Sequence, residues 1–258
     1  MKRFKFLLFF ILVLTFFISA ATADGFIDSS EISRLQQKIK TFPLGERIAL
    51  WAERFVGVPY DTDPLGAYVR NKVIVYDEKV DCMYHVFRAV ELALADTPDG
   101  AVETALDKRF KTRGKLDGNG LVENYDDRFQ YAEDMVFSGK WGEDITGKLG
   151  AAPAQIKGDR GVDTVSIIAK ENIKEVLPHL KSGDIVFLIK KVEKRVVGEI
   201  VGHEGIIKVE KDGDIYLIHA SGLKNKESEN YKVKKVSLLD YAANMPFIGI
   251  KVSRFVFP

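Results

Sequence analysis

Residues 182–222 read SGDIVFLIKKVEKRVVGEIVGHEGIIKVEKDGDIYLIHASG, a stretch that contains three runs rich in isoleucine and valine. Turn signals such as Lys211-Asp212-Gly213-Asp214 separate the runs. Short β-branched runs bounded by turn residues predict antiparallel strands. Two later runs of the same kind extend the prediction to five successive strands: 184–189, 196–209, 214–220, 233–237 and 247–255.

The part of the chain before these strands shows helical spacing instead. A first apolar stripe, which Ser29 or Ser30 is expected to cap, consists of Ile32, Leu35 and Ile39. A second stripe has intervals of four, three and four: Leu44, Ile48, Trp51 and Phe55. Pro59 cannot continue the second helix. Helices followed by an antiparallel meander predict an α+β fold, with N-terminal helices packed on a C-terminal antiparallel sheet.

Asp81-Cys82 is predicted to open a further helix, after a short strand around 73–76. Residues 101–181 are expected to form helical pieces in glycine-rich loops, with the best helix at 128–137. No linker divides the chain, and we therefore expect a single domain over residues 24–258.

Composition excludes several classes of protein. The chain has 258 residues, with 38 lysines and arginines against 37 aspartates and glutamates, and its formal net charge is +1. This balance does not favour electrostatic binding of nucleic acid or of an anionic membrane surface. With 46% hydrophobic and 29% charged residues, the chain is expected to fill a folded core.

The N-terminus has the layout of a secretory signal peptide. Lys2, Arg3 and Lys5 precede an apolar run from Phe6 to Ile18, and Ala21-Thr22-Ala23 follows as a cleavage site. The apolar run has about 13 residues, fewer than the roughly 20 that span a bilayer as a helix. We therefore expect residues 1–23 to be a signal peptide and the mature protein to be periplasmic or secreted, without a stable membrane anchor.

Cys82 is the single cysteine, and so it cannot form an intramolecular disulfide. In the first turn of a helix, unpaired N–H groups and the helix dipole favour the thiolate. His203 and His219 lie on consecutive predicted strands, which can present both imidazoles on one sheet face. His203 is then the expected base and His219 its orienting partner, with His85 as an alternative base. A buried, inert cysteine remains the alternative to catalysis.

Several motifs occur in an order that resembles NlpC-type papain-like cysteine peptidases, bacterial enzymes that cut amide bonds in peptidoglycan. They are Gly57-Val58-Pro59-Tyr60, Asp81-Cys82, Ser182-Gly183-Asp184-Ile185-Val186, Gly202-His203-Glu204-Gly205-Ile206 and Ile218-His219-Ala220-Ser221. The resemblance implies a papain-like fold with Cys82 as nucleophile, His203 as base and His219 as the residue that orients the base. It also implies that Tyr60 borders the substrate.

Three further segments resemble the long insertion of the N-acetylmuramoyl-L-alanine amidase-like branch: Arg109-Phe110-Lys111, Arg128-Phe129-Gln130-Tyr131 with Asp134, and Asp144-Ile145-Thr146. The resemblance places this insertion at about 101–181. It adds Arg109, Arg128 and Tyr131 to Tyr60 as candidate substrate-binding residues. Arg128 and Tyr131 are expected on one helix face, where the cation can bind a substrate carboxylate.

The expected activity is hydrolysis of an amide bond in peptidoglycan fragments, in the first place the N-acetylmuramoyl-L-alanine bond. Cleavage between D-glutamate and the diamino acid of the stem peptide is a second enzymatic hypothesis. Two hypotheses of a different kind stay open: a peptidoglycan-binding protein without turnover, and a zinc site built from Cys82, His203 and His219. The amidase hypothesis requires no metal or organic cofactor. Under it, we expect the protein to be a monomer whose partners are muropeptides.

Overall fold

The computed structural model describes residues 28–256, and the predicted signal peptide at 1–23 lies outside the described residues. Within 28–256, no helix combines the length and the apolar character needed to cross a membrane. The helices are α1 (Ser29–Ile39), α2 (Leu44–Arg54), α3 (Ala67–Arg70), α4 (Cys82–Leu94), α5 (Pro98–Lys108), α6 (Ala132–Ser138), α7 (Ile173–Val176) and α8 (Leu238–Asn244).

The described strands form one antiparallel sheet. They are β1 (Glu143–Asp144), β2 (Ala154–Lys157), β3 (Thr164–Ala169), β4 (Ile185–Lys190), β5 (Val201–Val209), β6 (Ile215–Ser221), β7 (Lys232–Ser237) and β8 (Phe247–Arg254). The order across the sheet is β2-β3-β8-β4-β5-β6-β7, with β1 beside β8. The predicted α+β class, with helices packed on an antiparallel sheet, is confirmed.

Each face of the sheet has its own apolar core. On one face, α2 and α4 pack together and on β5 and β6, with Trp51 and Val90 of the helices and Ile206 of β5 buried in the shared core. On the other face, α7 and α8 cover residues such as Leu188 and Ile207. Because side chains alternate along a strand, neighbouring residues of β5 reach different cores.

Several predicted boundaries differ from the structure. Asp28, rather than Ser29 or Ser30, caps α1, because its carboxylate accepts the backbone N–H groups of Ser30 and Glu31. The fifth predicted strand does not extend the meander from β7; β8 crosses back and pairs with β4. The predicted second strand begins only at Val201, since Val197 and Gly198 have positive φ angles of 51° and 77°, which interrupt an extended backbone.

The predicted strand at 73–76 is absent, because side chains take its backbone groups. The hydroxyl of Tyr125 donates to the Val73 carbonyl, Arg109 donates to the Ile74 carbonyl, and the Tyr76 N–H donates to the Tyr84 hydroxyl. These bonds satisfy the buried polar groups that a partner strand would otherwise pair.

The segment 101–181 contains more than helical pieces. Residues 154–169 form the β2–β3 hairpin, which extends the sheet beyond β8. Phe110, Met135 and Trp141 of this segment are buried in the same core as α2 and α4. The segment is therefore part of the folded unit, and its identity as a family-specific insertion stays a prediction.

Candidate active site

The structure places Cys82 at the first position of α4, as the sequence predicts. Asp81 has extended backbone angles, and its Oδ1 accepts the Tyr84 N–H at 2.8 Å. This side-chain cap fixes where the helix begins. The half-buried Cys82 thiol therefore lies at the N-terminal end of a helix that packs on the sheet.

His203 and His219 come together on the sheet. β5 and β6 pair in register through Ile206 and Ile218, which places His219 directly opposite Gly205. His203 Nε2 and His219 Nδ1 are 2.7 Å apart, with the ring planes at 89°. The prediction that adjacent strands present both imidazoles on one face is confirmed.

Both imidazoles are held neutral at pH 7. Burial lowers the pKa of His203 to about 4; nearby His85 lowers it further, while Asp81 opposes the shift. Burial also lowers the pKa of His219 to about 2, with contributions from His203 and His85. A neutral imidazole has a free lone pair, and so His203 is able to accept a proton.

The hydrogen bond between the rings fixes a set of tautomers. If His203 accepts a proton at Nδ1, its Nε2 must carry hydrogen and donate to His219 Nδ1. His219 then carries its own hydrogen on Nε2, a buried atom without a hydrogen-bond partner in residues 28–256. In this tautomer the pair holds His203 with Nδ1 free, which is the arrangement that an orienting residue provides for a base.

The electrostatics around Cys82 correct one expectation. Burial raises the pKa of the Cys82 thiol, Glu204 and Asp81 raise it further, and Lys224 and the Met83 N–H act in the opposite direction. The helix start alone favours a thiolate, but burial of the thiol, the largest cause of the shift, outweighs it. The resting site therefore holds a neutral thiol and neutral imidazoles, and proton transfer must accompany attack.

Three residues near the thiol escaped the sequence reasoning. Tyr241 of α8 packs against His219 with ring centroids 4.5 Å apart, and burial and Cys82 raise its pKa. Glu204 follows His203 on β5, is fully buried, and acts on Cys82 as described above. Lys224 lies in the loop after β6 and donates to Asp81 at 2.8 Å. The alternation of side chains along β5 could have identified Glu204 from the sequence. Tyr241 and Lys224 come close to the thiol only through tertiary packing.

Tyr60 lies near the thiol, and its predicted contact with substrate stays a prediction. It is 8% exposed, and burial, followed by Cys82, Asp81 and Asp61, raises its pKa. The hydroxyl therefore stays protonated and is able to donate a hydrogen bond. Gly222 passes so close that a Cβ there would come within 2.2 Å of the Tyr60 ring, and so this position requires glycine.

The structure contradicts the predicted substrate-binding role of Arg109, because it does not place this side chain where it can contact a substrate. It is 1% exposed, and two of its nitrogens donate to the buried carboxylate of Glu91 at 2.6 and 2.7 Å. A third nitrogen donates to the Ile74 carbonyl at 2.8 Å. Arg109 thus holds α4, α5 and the segment around Ile74 together.

Arg128 and Tyr131 do not share a helix face, because α6 begins only at Ala132. The Arg128 guanidinium donates to the Tyr125 carbonyl at 3.0 Å, and the side chain is partly exposed. The Arg160 guanidinium lies over the Tyr131 ring, with its central carbon 3.8 Å from the ring centroid. Their proposed contact with substrate stays a prediction, on a surface formed by loops rather than by a helix.

His85, the alternative base, is fully buried between α2 and α4. Its Nε2 lies 3.3 Å from the Ala52 carbonyl, and its ring packs against Phe55. Burial lowers its pKa to about 4. This orientation favours His203 as the base. Within residues 28–256, no group of three or more histidine, cysteine, aspartate or glutamate side chains is arranged to hold a metal ion.

A cavity of about 930 Å³ lies away from Cys82, at the other end of β5. Its lining includes Lys208 and Arg254, whose charges are paired with Glu46 and Asp184. The first ion pair joins β5 to α2, the second joins β8 to the residue before β4, and we assign the cavity no role in the chemistry at Cys82.

The chain has matches among solved structures, although no family model and no curated protein matches it. An N-acetylmuramoyl-L-alanine amidase from Bacteroides uniformis superposes with a TM-score of 0.63 at 19% identity, over 82% of this chain and 98% of the other. A Legionella pneumophila protein of the DUF1460 family superposes with a TM-score of 0.65 at 20% identity, over 89% of this chain and 94% of the other. A structure described as a putative xylanase from Bacteroides fragilis gives 0.61 at 20% identity, over 80% and 100%.

These likenesses establish a shared fold. The matched structures are covered almost completely, and so the described part of this chain spans the whole fold of its neighbours. At about 20% identity, the residues that perform chemistry must be argued from the site itself.

Proposed function

We propose that the protein is a cysteine hydrolase that cleaves an amide bond in peptidoglycan fragments, with the N-acetylmuramoyl-L-alanine bond as its target. The observation that carries this proposal is the 2.7 Å hydrogen bond between His203 and His219, on the two strands against which the cysteine-bearing helix α4 packs. A nucleophile, a base and a group that orients the base are the three parts of such a site. The structural likeness to an amidase supports the choice of bond.

In the proposed reaction, the Cys82 sulfur attacks the amide carbonyl carbon while its proton moves to His203 Nδ1. The C–N bond then breaks, and His203 returns the proton to the departing amine. The product is a thioester on Cys82, which a water molecule activated by His203 hydrolyses. Since thiol and imidazole are both neutral at rest, the imidazolium forms only during attack, and His219 stabilises it.

The oxyanion formed during attack needs hydrogen-bond donors. The Cys82 backbone N–H lies in the first turn of α4, where no carbonyl of the helix can accept it. The protonated Tyr60 hydroxyl is the second proposed donor. Two donors aimed at the developing charge are the usual arrangement for acyl transfer.

Export is proposed together with this function, because peptidoglycan lies outside the cytoplasmic membrane. It rests on the basic start, apolar run and Ala21-Thr22-Ala23 site of the first 23 residues. We further propose that the mature protein acts as a monomer on muropeptides.

Mass spectrometry of defined muropeptides after incubation tests the proposal. The intact protein is expected to release a stem peptide with a free L-alanine amine, and Cys82→Ala is expected to release none. The matched control for the histidines is His179→Ala, since His179 is an exposed residue in the loop before β4. Full activity of Cys82→Ala would refute the cysteine mechanism, and fragments cut after D-glutamate would move the scissile bond.

A further inference from the structure

The loop that follows β6 brings a lysine to the start of α4. Lys224 Nζ donates to Asp81 Oδ2 at 2.8 Å and to the Asp61 carbonyl at 3.0 Å. The same ammonium lies 5.5 Å from the centroid of the Tyr60 ring. Lys224 therefore contacts both the residue that caps the cysteine helix and the proposed oxyanion donor.

The position of Lys224 is fixed by its loop. Gly222 allows the chain to pass against the Tyr60 ring. The Asn225 N–H donates to the Thr62 carbonyl at 2.9 Å, and the Thr62 hydroxyl donates to Glu227 at 2.6 Å. Contacts on both sides of Lys224 thus anchor the loop to the segment that carries Tyr60.

The charges around the thiol show what this lysine does. The titratable groups around Cys82 and its neighbour Asp81 come from the surrounding helices, strands and loops: Tyr60, Asp61, His85, His203, Glu204, His219, Lys224 and Tyr241. Burial keeps the three histidines neutral at pH 7, and it raises the pKa of Glu204 well above its ordinary value. The ion pair beside the thiol is then the 2.8 Å contact between Lys224 and Asp81, and Asp61 also acts on the Lys224 ammonium.

We infer that Lys224 is a positioning residue of the hydrolase: its ammonium neutralises Asp81 beside Cys82 and so permits the thiolate to form during attack. Without it, the sulfur would develop its negative charge next to an unpaired carboxylate. Asp81 is needed as the helix cap, and so its charge is a necessary part of the site that requires compensation. This inference rests on the proposed role of Cys82 as nucleophile.

The pH dependence of Cys82 alkylation by iodoacetamide tests the inference on the full chain without any substrate. Lys224→Met is expected to raise the midpoint of the profile by about one unit and to slow alkylation at neutral pH about tenfold. Lys224→Arg keeps the charge and is expected to restore part of the shift. Lys226→Met is the matched control, because it removes a positive charge from the same loop at an exposed position.

An alkylation profile of Lys224→Met that coincides with that of Lys226→Met would overturn the inference. If Lys224→Met does not fold, Asp81→Asn carries the test, since asparagine still caps a helix but has no charge. Its midpoint is expected to fall, and an unchanged midpoint would overturn the inference as well. A shifted profile in a protein that hydrolyses no muropeptide would refute the proposed function alone.

Discussion

Replacing Glu204 by leucine is expected to stabilise the protein, by an amount that grows with pH. Glu204 is fully buried, and neither carboxyl oxygen has a hydrogen-bond partner in residues 28–256. It lies opposite Phe187 of β4, whose side chain belongs to the apolar core against α2 and α4. A leucine there would bury apolar surface in place of an unpaired acid.

The expected magnitude has two parts. Burying an unpaired polar group costs about 1–3 kcal/mol, and leucine removes this cost at every pH. The second part follows from the pKa of the Glu204 carboxyl group, which burial and then Asp81 raise well above the ordinary value of 4.5. Above pH 4.5 the unfolded chain loses this proton while the folded chain keeps it, so the native protein loses about 1.4 kcal/mol of stability per pH unit. The loss continues until the folded-state pKa is reached.

Equilibrium urea unfolding of the native protein and of Glu204→Leu between pH 5 and pH 8 measures both parts. Glu204→Gln separates them, because it removes the titration but leaves a buried polar group. Glu229→Leu is the control, since Glu229 is exposed. A stability difference between the native protein and Glu204→Leu that does not change with pH would refute the reasoning.

Three further predictions concern the two histidines of the proposed site and the buried ion pair of Arg109. His203→Ala is expected to lower the hydrolysis rate about 10²–10⁴-fold, and His219→Ala less, in muropeptide assays that use His179→Ala as control. An equal loss in both variants would contradict the separate roles of base and orienting group. The hydrolysis rate is expected to fall as pH drops through about 4, where His203 takes up a proton. If the rate instead fell near pH 6.5, the ordinary pKa of histidine, burial would not be holding the base neutral. Arg109→Met leaves the buried Glu91 with only its longer ion pair to Arg88, at 3.5 Å, and is expected to cost up to about 3–5 kcal/mol in urea unfolding. A raised KM without a loss of stability would instead support substrate binding by Arg109.

The parts of the site that follow from local sequence were predictable. Asp81 caps a helix by a contact three residues away, and His203 and His219 lie on strands joined by a tight turn. Their mutual position therefore depends on strand alternation and a short connection, both of which the sequence encodes.

The parts that depend on distant contacts were not predictable. Arg109 has the sequence signature of a surface cation, and only the fold shows Glu91 buried beside it. Lys224 meets Asp81 across 143 positions of sequence. The expected thiolate fails for the same reason, since burial of the Cys82 thiol is a property of the packed site rather than of the helix start.

The same distinction holds for the frame of the fold. The strands from 184 onward follow their β-branched runs, whereas 73–76 has such a run without a strand because side chains occupy its backbone groups. The β2–β3 hairpin lies in a loop-rich stretch, where Thr164-Val165-Ser166-Ile167-Ile168 is the one strong strand signal that the helical interpretation passed over.

Intact-protein mass spectrometry during turnover of a defined muropeptide can detect the proposed covalent intermediate. An acyl-enzyme carries the acyl half of the scissile amide, and so its added mass identifies nucleophile and bond together. We expect a thioester on Cys82 that bears the lactyl group and sugar of N-acetylmuramic acid, and no adduct on Cys82→Ala. An adduct that bears the L-alanyl-D-glutamyl part would contradict the proposed bond, and hydrolysis that persists in Cys82→Ala would contradict the cysteine mechanism itself.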